Sequence, residues 1–506
     1  MERKRSKWCY ASGCTGRDMT YTLVALFFIS YIQFTGLVNA TQFAVLTGII
    51  VACRVWDAIN DPMMGTIISN TKTRFGKYRP WIIIGAFVNA IILILMFSVR
   101  VNVGTEIDTL GWYNVAILGV LYLLWGMTFT MNDVSYWSLL PVLAEDKKER
   151  DNLTTMVAVF ASIGSFVAGG VIPMLTPGNM VVAYRWIAIS FAIFFVLCQV
   201  MVFFMTHDNV HDTFMISREE MEAQQKEKSI NLKDMFRILF RNKQLLVMAL
   251  VVLFYTFSSV LLTSFGQNFF YFNFGYDGNL VFIFTVIYAV GTLVAQGIYP
   301  LLASKLKRMT IVTYSTIFTI VGFVLFALFA LVPMNKTVAF ILLGIASFIV
   351  FAGQGTFYMA MLVMLTNTIE YDEWQTGERN DAITFSVRPF MVKLSGALEI
   401  ATVTTVLLAC GLYNITEQVG AIESEISKGT IDQALAVTQI QELLSQASRG
   451  QLVGLTLCMT IIPIIFMALC YILLKKKYII SEEMYEKMIK EIAERKENNN
   501  EQVSNN

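Results

Sequence analysis

The sequence predicts an all-α membrane protein, with twelve transmembrane helices in two six-helix bundles. Three observations carry that prediction. The 506-residue chain is 56% hydrophobic and only 15% charged, whereas soluble domains average about 25% charged residues. Its apolar residues fall in long runs, among them 81–99, 181–205, 244–265, 311–332 and 452–474. Each run is long enough for a hydrocarbon core that takes about 20 residues to cross. A single long charged segment divides the runs into six and six.

Polar breaks place the spans at 18–39, 43–68, 80–100, 112–140, 152–175, 182–206, 243–273, 279–303, 309–332, 337–366, 381–412 and 450–474. The expected organisation is an N-terminal bundle (1–206), a cytoplasmic central loop (207–242), a C-terminal bundle (243–474) and a cytoplasmic tail (475–506). Lysine and arginine set the orientation. One set of connections holds Lys72, Arg74, Lys77, Arg79, Lys147, Lys148, Arg150, Lys305, Lys307 and Arg308, together with Arg3 to Arg5 and Lys475 to Lys477 at the two ends. The opposite set holds Arg100, Arg185, Lys336, Lys428 and Arg449. The positive-inside rule then puts both termini and the central loop in the cytoplasm, as an even span number requires. The one long outer connection, 413–449, carries Ile431, Leu435, Val437, Ile440, Leu443 and Leu444, the pattern of a short amphipathic surface helix. Residues 482–496 read as a charged helix or a disordered tail.

Composition also excludes function classes. A net charge of +1 implies no nucleic-acid partner. Seven cysteines lack metal-ligand or disulfide spacing, and the two histidines, His207 and His211, lie in the charged loop. No nucleophile–base pair appears, so an enzyme is not expected. The basic start, Met1 to Lys7, leads into a polar stretch and an apolar segment without a cleavage pattern, so no cleavable signal is expected.

Polar groups inside the spans carry the chemistry, because each must find a partner there. Asp57, Asn60 and Asp61 in span two share one helical face. A carboxylate in hydrocarbon costs roughly 2.5–3.5 kcal/mol, and two on one face repel unless a positive charge sits between them. Hard oxygen ligands of this kind suit a small cation or a proton, and Thr130 in span four can add an oxygen. Arg54, one turn from Asp57, offers the plainer reading of a structural salt bridge. In span four Asp133 and Trp137 stand at i and i+4. A carboxylate accepts from sugar hydroxyls and an indole packs on a pyranose face, so the pair suits a sugar pocket. The plainer reading of Trp137 is an interfacial anchor. Asp18, next to Arg17, faces either the membrane edge or the cavity. Lys393 lies mid-span in span eleven near Arg388, with Glu399 unassigned, and needs a counter-charge such as Asp18, Asp57 or Asp133. Gln267, Asn268, Gln296 and Gln354 are either cavity-lining amides or interhelix bonds.

Three motifs together resemble one family: Arg54-Val-Trp-Asp-Ala-Ile-Asn-Asp-Pro62, Lys72-Thr-Arg-Phe-Gly-Lys-Tyr-Arg-Pro-Trp81, and Trp125-Gly-Met-Thr-Phe-Thr-Met-Asn-Asp-Val-Ser-Tyr-Trp-Ser-Leu-Leu-Pro141. They look like the melibiose-permease-like glycoside–pentoside–hexuronide:cation symporters of the major facilitator superfamily. The resemblance runs from Gly16-Arg-Asp18 to the last span. It implies the major facilitator fold, a cation site at Asp57, Asn60, Asp61 and Thr130, and sugar binding by Asp18, Asp133 and Trp137 with Lys393 close by. It also implies that Glu370 and Arg379 help to close the cytoplasmic side. The chain departs from the pattern at Ala158, where the family's best-known member, the melibiose permease, has a pocket arginine, and at Ser69, where an acid is frequent in the family.

The expected protein is a bacterial inner-membrane, multi-pass symporter, working as a monomer in the lipid bilayer. It imports a small sugar with co-transported Na⁺ or H⁺, with Li⁺ as a further candidate, and needs no cofactor. The alternatives are a carrier of an amphiphile or lysolipid on the same fold, and a non-transporting sugar sensor.

Overall fold

The computed structural model describes residues 2–71, 73, 75–101, 107–144, 147–206, 232–377 and 381–504. Among the described residues the regular structure is helical throughout: α1 (Glu2–Phe34), α2 (Ala40–Ser69), α3 (Arg79–Ser98), α4 (Ile107–Leu143), α5 (Lys147–Leu175), α6 (Met180–Met205), α7 (Leu232–Arg241), α8 (Lys243–Phe274), α9 (Gly278–Ala303), α10 (Arg308–Leu331), α11 (Lys336–Thr376), α12 (Asp381–Ala409), α13 (Leu412–Lys428), α14 (Gln433–Ser445), α15 (Arg449–Lys477) and α16 (Glu482–Ser504).

Eleven helices among the described residues are long and apolar enough to cross a membrane: α2 to α6, α8 to α12, and α15. The protein is a multi-pass membrane protein. Helix α1 has the length, at 33 residues, but its middle carries Arg17 and Asp18, so its composition is more polar than that of the other spans. Arg17 is nonetheless buried, while Asp18 stays partly exposed, and α1 packs against α5 and α6.

Several sequence boundaries are corrected. The first helix starts at Glu2 and ends at Phe34, not at 18 and 39. Gly36, at φ +63°, turns the chain there, and Asn39 caps α2 in a reciprocal box with Gln42. Helix α11 runs ten residues past the expected end at 366, to Thr376. Helix α12 stops at Ala409, before Gly411 at φ +68°. The outer connection holds two helices, α13 and α14; the expected surface helix is α14, and α13 buries Tyr413, Thr416, Val419 and Glu423. The end of the segment expected as a central loop forms α7. Residues 482–496 belong to the helix α16.

The chain divides into two compact units. The first comprises Met1–Ser229, Ser264–Val286 and Ile400–Leu455. In it α3 packs on α4 and α6, and α2 packs on α4. Polar groups join these helices in the manner of membrane interiors. Asn132 Nδ2 donates to Ile82 O at 2.8 Å and to Gln199 Oε1 at 3.3 Å. Asn89 Nδ2 donates to Trp125 O and Thr128 Oγ1. Tyr10 and Tyr136 stack at 4.4 Å, and each hydroxyl donates to the other's carbonyl, which fastens α1 to α4.

The second unit comprises Ile230–Thr263, Ile287–Glu399 and Thr456–Asn506. Its centre is apolar, with Met248, Val252, Phe357, Met361 and Met467 buried together. Helices α10 and α11 pack closely. The tail helix α16 docks on α11: Ile480 and Met488 meet Tyr371 and Trp374, and Trp374 Nε1 donates to Glu491 Oε2 at 2.6 Å.

Candidate functional site

The best-resolved chemistry lies in the first unit, where α4 faces both α1 and α2. Thr130, Asp133 and Trp137 recur at i, i+3 and i+7, so they rise along one side of α4. Thr130 is buried, and its Oγ1 donates to Asp61 Oδ1 of α2 at 3.1 Å. One turn further on, Asp133 Oδ1 forms an ion pair with Arg17 Nη1 of α1 at 3.1 Å. Arg17 Nη2 pairs in turn with Asp18 Oδ2 at 2.9 Å.

Arg17 is the residue that the sequence reading missed as a site member. Its side chain is only 2% exposed, while Asp18 and Asp133 keep 22% and 36%. The guanidinium lies over the rings of Tyr136 (4.6 Å) and Trp137 (5.4 Å). A planar, delocalised cation suits this double role, bonding carboxylates in its plane and aromatic faces above it. The result is one buried cation between two partly exposed carboxylates, beside an indole that is 40% exposed. Oxygen acceptors and an apolar ring on one wall are what a polyhydroxylated ligand requires. Asp18, left ambiguous by its position, is thereby joined to Asp133 through Arg17.

The span-two group sits next to this wall. Asp57 and Asn60 are buried, and Asp61 is half-buried. Gly126 of α4 makes room for Asp57: a Cβ there would overlap Asp57 Oδ1 and come within 3.0 Å of Cγ. The Arg54 guanidinium is buried, donates to Tyr21 Oη at 3.4 Å, and lies over the rings of Tyr21 and Tyr122. It therefore has an aromatic cage as well as its nearness in sequence to Asp57. Asp57, Asp61 and Thr130 thus converge where α2 meets α4.

The remaining predicted residues stand elsewhere. Lys393, half-buried on α12, and Glu370, half-buried on α11, belong to the second unit, as do Arg388 and Glu399. Arg388 donates to Tyr358 Oη and lies 5.8 Å from that ring. Arg379 lies outside the described residues. Ala158 is exposed on α5. Of the four amides, Asn268 accepts from Gln33 Nε2 at 2.7 Å, and Gln354 Nε2 donates to Ser258 O at 3.5 Å, so both make interhelix bonds. Gln267 bonds to Tyr271 one turn away, and Gln296 is exposed.

The comparisons agree with this architecture. The family profile described as MFS/sugar transport protein matches residues 9–481, and the chain belongs to that family. A lactose permease of Lactobacillus delbrueckii subsp. bulgaricus is 25% identical over 499 residues, covering 96% of this chain and 72% of the permease. A raffinose carrier protein of Pediococcus pentosaceus is 25% identical over 431 residues, covering 81% of this chain. The chain spans 64% of that carrier's length. Among solved structures, an inward-facing, unoccupied bacterial homologue of the human lysosomal transporter Spinster superposes with a TM-score of 0.61 at 12% identity, over 94% of this chain and 99% of that one. At that identity the likeness carries the fold alone, which is the major facilitator fold.

Proposed function

We propose that the chain is a secondary active transporter that moves a sugar (a glycoside, pentoside or hexuronide) together with Na⁺ or H⁺ by alternating access. One observation carries this reading. A single turn of α4 holds both Thr130, bonded to Asp61, and Asp133, paired with Arg17. The lactose permease and the raffinose carrier among the relatives support the substrate class.

The mechanism follows from the charges. Asp57 and Asp61 are acidic groups in an apolar surrounding, and a cation or proton between them relieves their repulsion. Asp61 accepts from Thr130, so a shift of Asp61 on cation binding is transmitted to α4. The same helix carries Asp133 and Trp137, which with Asp18 receive the sugar: carboxylates accept its hydroxyls and the indole covers its ring. Arg17 acts as a fixed counter-charge that holds both carboxylates in register. Joint occupancy then favours the change of access. The coupling is reciprocal, so sugar tightens the cation by the factor by which the cation tightens sugar. Resemblance to the family supports a role for Lys393 in sugar binding, and roles for Glu370 and Arg379 in cytoplasmic closure. We place the protein in a bacterial inner membrane with both termini cytoplasmic, acting as a monomer, as a carrier and not as an enzyme.

The test is uptake into proteoliposomes with a panel of radiolabelled glycosides, pentosides and hexuronides. Each runs with an imposed Na⁺ gradient, a pH gradient, or neither. Accumulation of one sugar under one gradient is the expected result and names both passengers. Folded protein that accumulates none of them under any gradient overturns the reading.

A further inference from the structure

The transport reading leaves the buried carboxyl of Glu423 without a role. Glu423 of α13 is 0% exposed. Its Oε1 accepts from the Gly178 amide at 3.0 Å and from Tyr276 Oη at 2.6 Å, and its Oε2 accepts from the Met180 amide at 2.7 Å. Met180 is the first residue of α6, and Tyr276 lies in the turn between α8 and α9. The expected cap of α6, Asn179, makes no side-chain cap bond. Glu423 does the capping instead, from a residue 243 positions away in sequence. A carboxylate is the favoured partner for the unpaired amides of a helix N-terminus, and charge-assisted bonds of this kind are roughly twice as strong as neutral ones.

Helix α13 reaches further than this one residue. Tyr413 Oη donates to Val38 O at 2.9 Å, in the turn between α1 and α2. Gln33 Nε2 of α1 donates both to Thr416 Oγ1 at 3.2 Å and to Asn268 Oδ1 of α8 at 2.7 Å. Arg100, just beyond α3, donates to Thr35 O and to Ser424 Oγ. The Gly36 and Gly420 backbones meet so closely that a Cβ on either would overlap the other. Every turn in this set lies on the side that the lysine and arginine distribution places outside. The parts of the second half of the chain that cluster with the first half, Ser264–Val286 and Ile400–Leu455, include α13 and its α8 and α9 contacts. Beneath them Thr404 Oγ1 donates to Thr47 Oγ1 at 3.2 Å, joining α12 to α2.

We propose that α13 is an outer latch with Glu423 as its polar bolt. It ties the α5–α6 turn of the first half of the chain to the α8–α9 turn of the second, and opening toward the outside requires Glu423 to release them. The proposal rests on the alternating-access reading. A permanent joint would be better served by apolar packing and a local cap on α6, because a buried charge carries a desolvation cost that apolar residues avoid. Polar bonds that water can replace suit a joint that opens.

The test introduces Thr47→Cys as a reporter, since this buried position lies under the latch. Right-side-out vesicles are treated with a membrane-impermeant maleimide, and labelling is read peptide by peptide, so the native cysteines can stay. Reporter labelling should be slow alone and about tenfold faster with Glu423→Gln, whose amide nitrogen cannot accept from the Met180 amide, the scale of one buried hydrogen bond lost. Tyr276→Phe, which removes one hydroxyl, should give a smaller increase. Cys470, buried in the second unit, must stay unlabelled, which separates latch opening from general loosening. Unchanged reporter labelling in both variants overturns the proposal, as does labelling from the cytoplasmic face alone. If Glu423→Gln fails to fold, Tyr276→Phe decides. Uptake is scored separately: a faster reporter without sugar accumulation sustains the latch and rejects the transport reading, and the reverse pattern rejects the latch.

Discussion

Thr130 and Asp133 stand one turn apart on α4 and are bonded to different helices: Thr130 to Asp61 of α2, and Asp133 to Arg17 of α1, each at 3.1 Å. A rotation or slide of α4 that changes one bond must change the other. That linkage gives a physical form to coupling between cation and sugar, because the coupling free energy has to be carried by contacts that differ between states.

Replacing Thr130 tests this linkage directly. Thr130→Val keeps the volume and removes the hydroxyl that Asp61 accepts from. A hydrogen bond to a charged group contributes about 1.5–3 kcal/mol, so cation affinity should fall by at least tenfold. Sugar binding measured without coupling cation should change little, and Thr130→Ser should restore most of the loss. Concentration dependence of Na⁺ or H⁺ in uptake assays checks it. Equal loss of cation-free sugar binding would show that Thr130 serves the pocket as a whole.

Arg17 should be the most sensitive member of the proposed sugar wall. Arg17→Gln leaves Asp18 and Asp133 without their shared counter-charge. Breaking a fully buried pair costs roughly 3–5 kcal/mol. The cost here should be smaller, since Asp133 keeps 36% exposure. The variant should lose sugar binding and unfold at lower temperature in detergent. Arg17→Lys should recover stability better than binding, because an ammonium cannot bond two carboxylates in one plane and cover two rings. Thermal unfolding and equilibrium sugar binding, measured on the same preparations, separate the two effects.

Gly126 gives a steric test of the proposed cation site. Its missing side chain is the space that Asp57 occupies. Alanine is the better helix former, so Gly126→Ala should leave α4 intact while displacing the Asp57 carboxylate. Cation affinity should drop by about tenfold or more, the equivalent of roughly 1.4 kcal/mol, with little change in unfolding temperature. Unaltered cation dependence would remove Asp57 from the site.

These residues differ in how far the sequence exposes them. The eleven long apolar helices and the Asp57–Asp61 face are legible because hydrocarbon makes length and charge costly, and both are local properties. Arg17 is not, because the first span is read as beginning at 18, which leaves Arg17 at the membrane edge. The helix in fact starts at Glu2, so Arg17 stands in its middle. One signal was available: Arg17 and Asp18 are adjacent charges at the head of an apolar run, and a pair of that kind needs no solvent. Gly126 is silent in sequence, since its partner lies on another helix. Glu423 is silent for a related reason. The apolar periodicity of 413–449 describes α14, while the burial of α13 comes from turns distant in sequence.

The latch also predicts a pH dependence. Burial is the largest influence on Glu423 and pushes its carboxyl above the ordinary glutamate value, against the opposing bonds from Tyr276, Met180 and Gly178. The titratable side chains coupled to it are the phenols Tyr276 and Tyr271, which ordinarily titrate near about pH 10. A raised carboxyl means that the closed arrangement binds the proton more tightly than one in which Glu423 meets water. Its stabilising contribution is therefore full below the ordinary value, about pH 4.3, and is lost as pH rises through the raised one. Mild acid should hold the latch shut, because a protonated carboxyl keeps both oxygens as acceptors for Gly178, Tyr276 and Met180 without the desolvation cost of the charge, whereas the amide nitrogen of Glu423→Gln cannot accept from Met180. The Thr47→Cys reporter should be labelled relatively more slowly as pH falls toward about 5, in the chain that retains Glu423. Thiol reactivity itself varies with pH, so the quantity to follow is the rate in Glu423→Gln divided by the rate with Glu423. That ratio should grow as pH falls. A ratio flat across the range would mean that Glu423 keeps one protonation state whether the latch is open or shut, and that its bonds alone hold α13 in place.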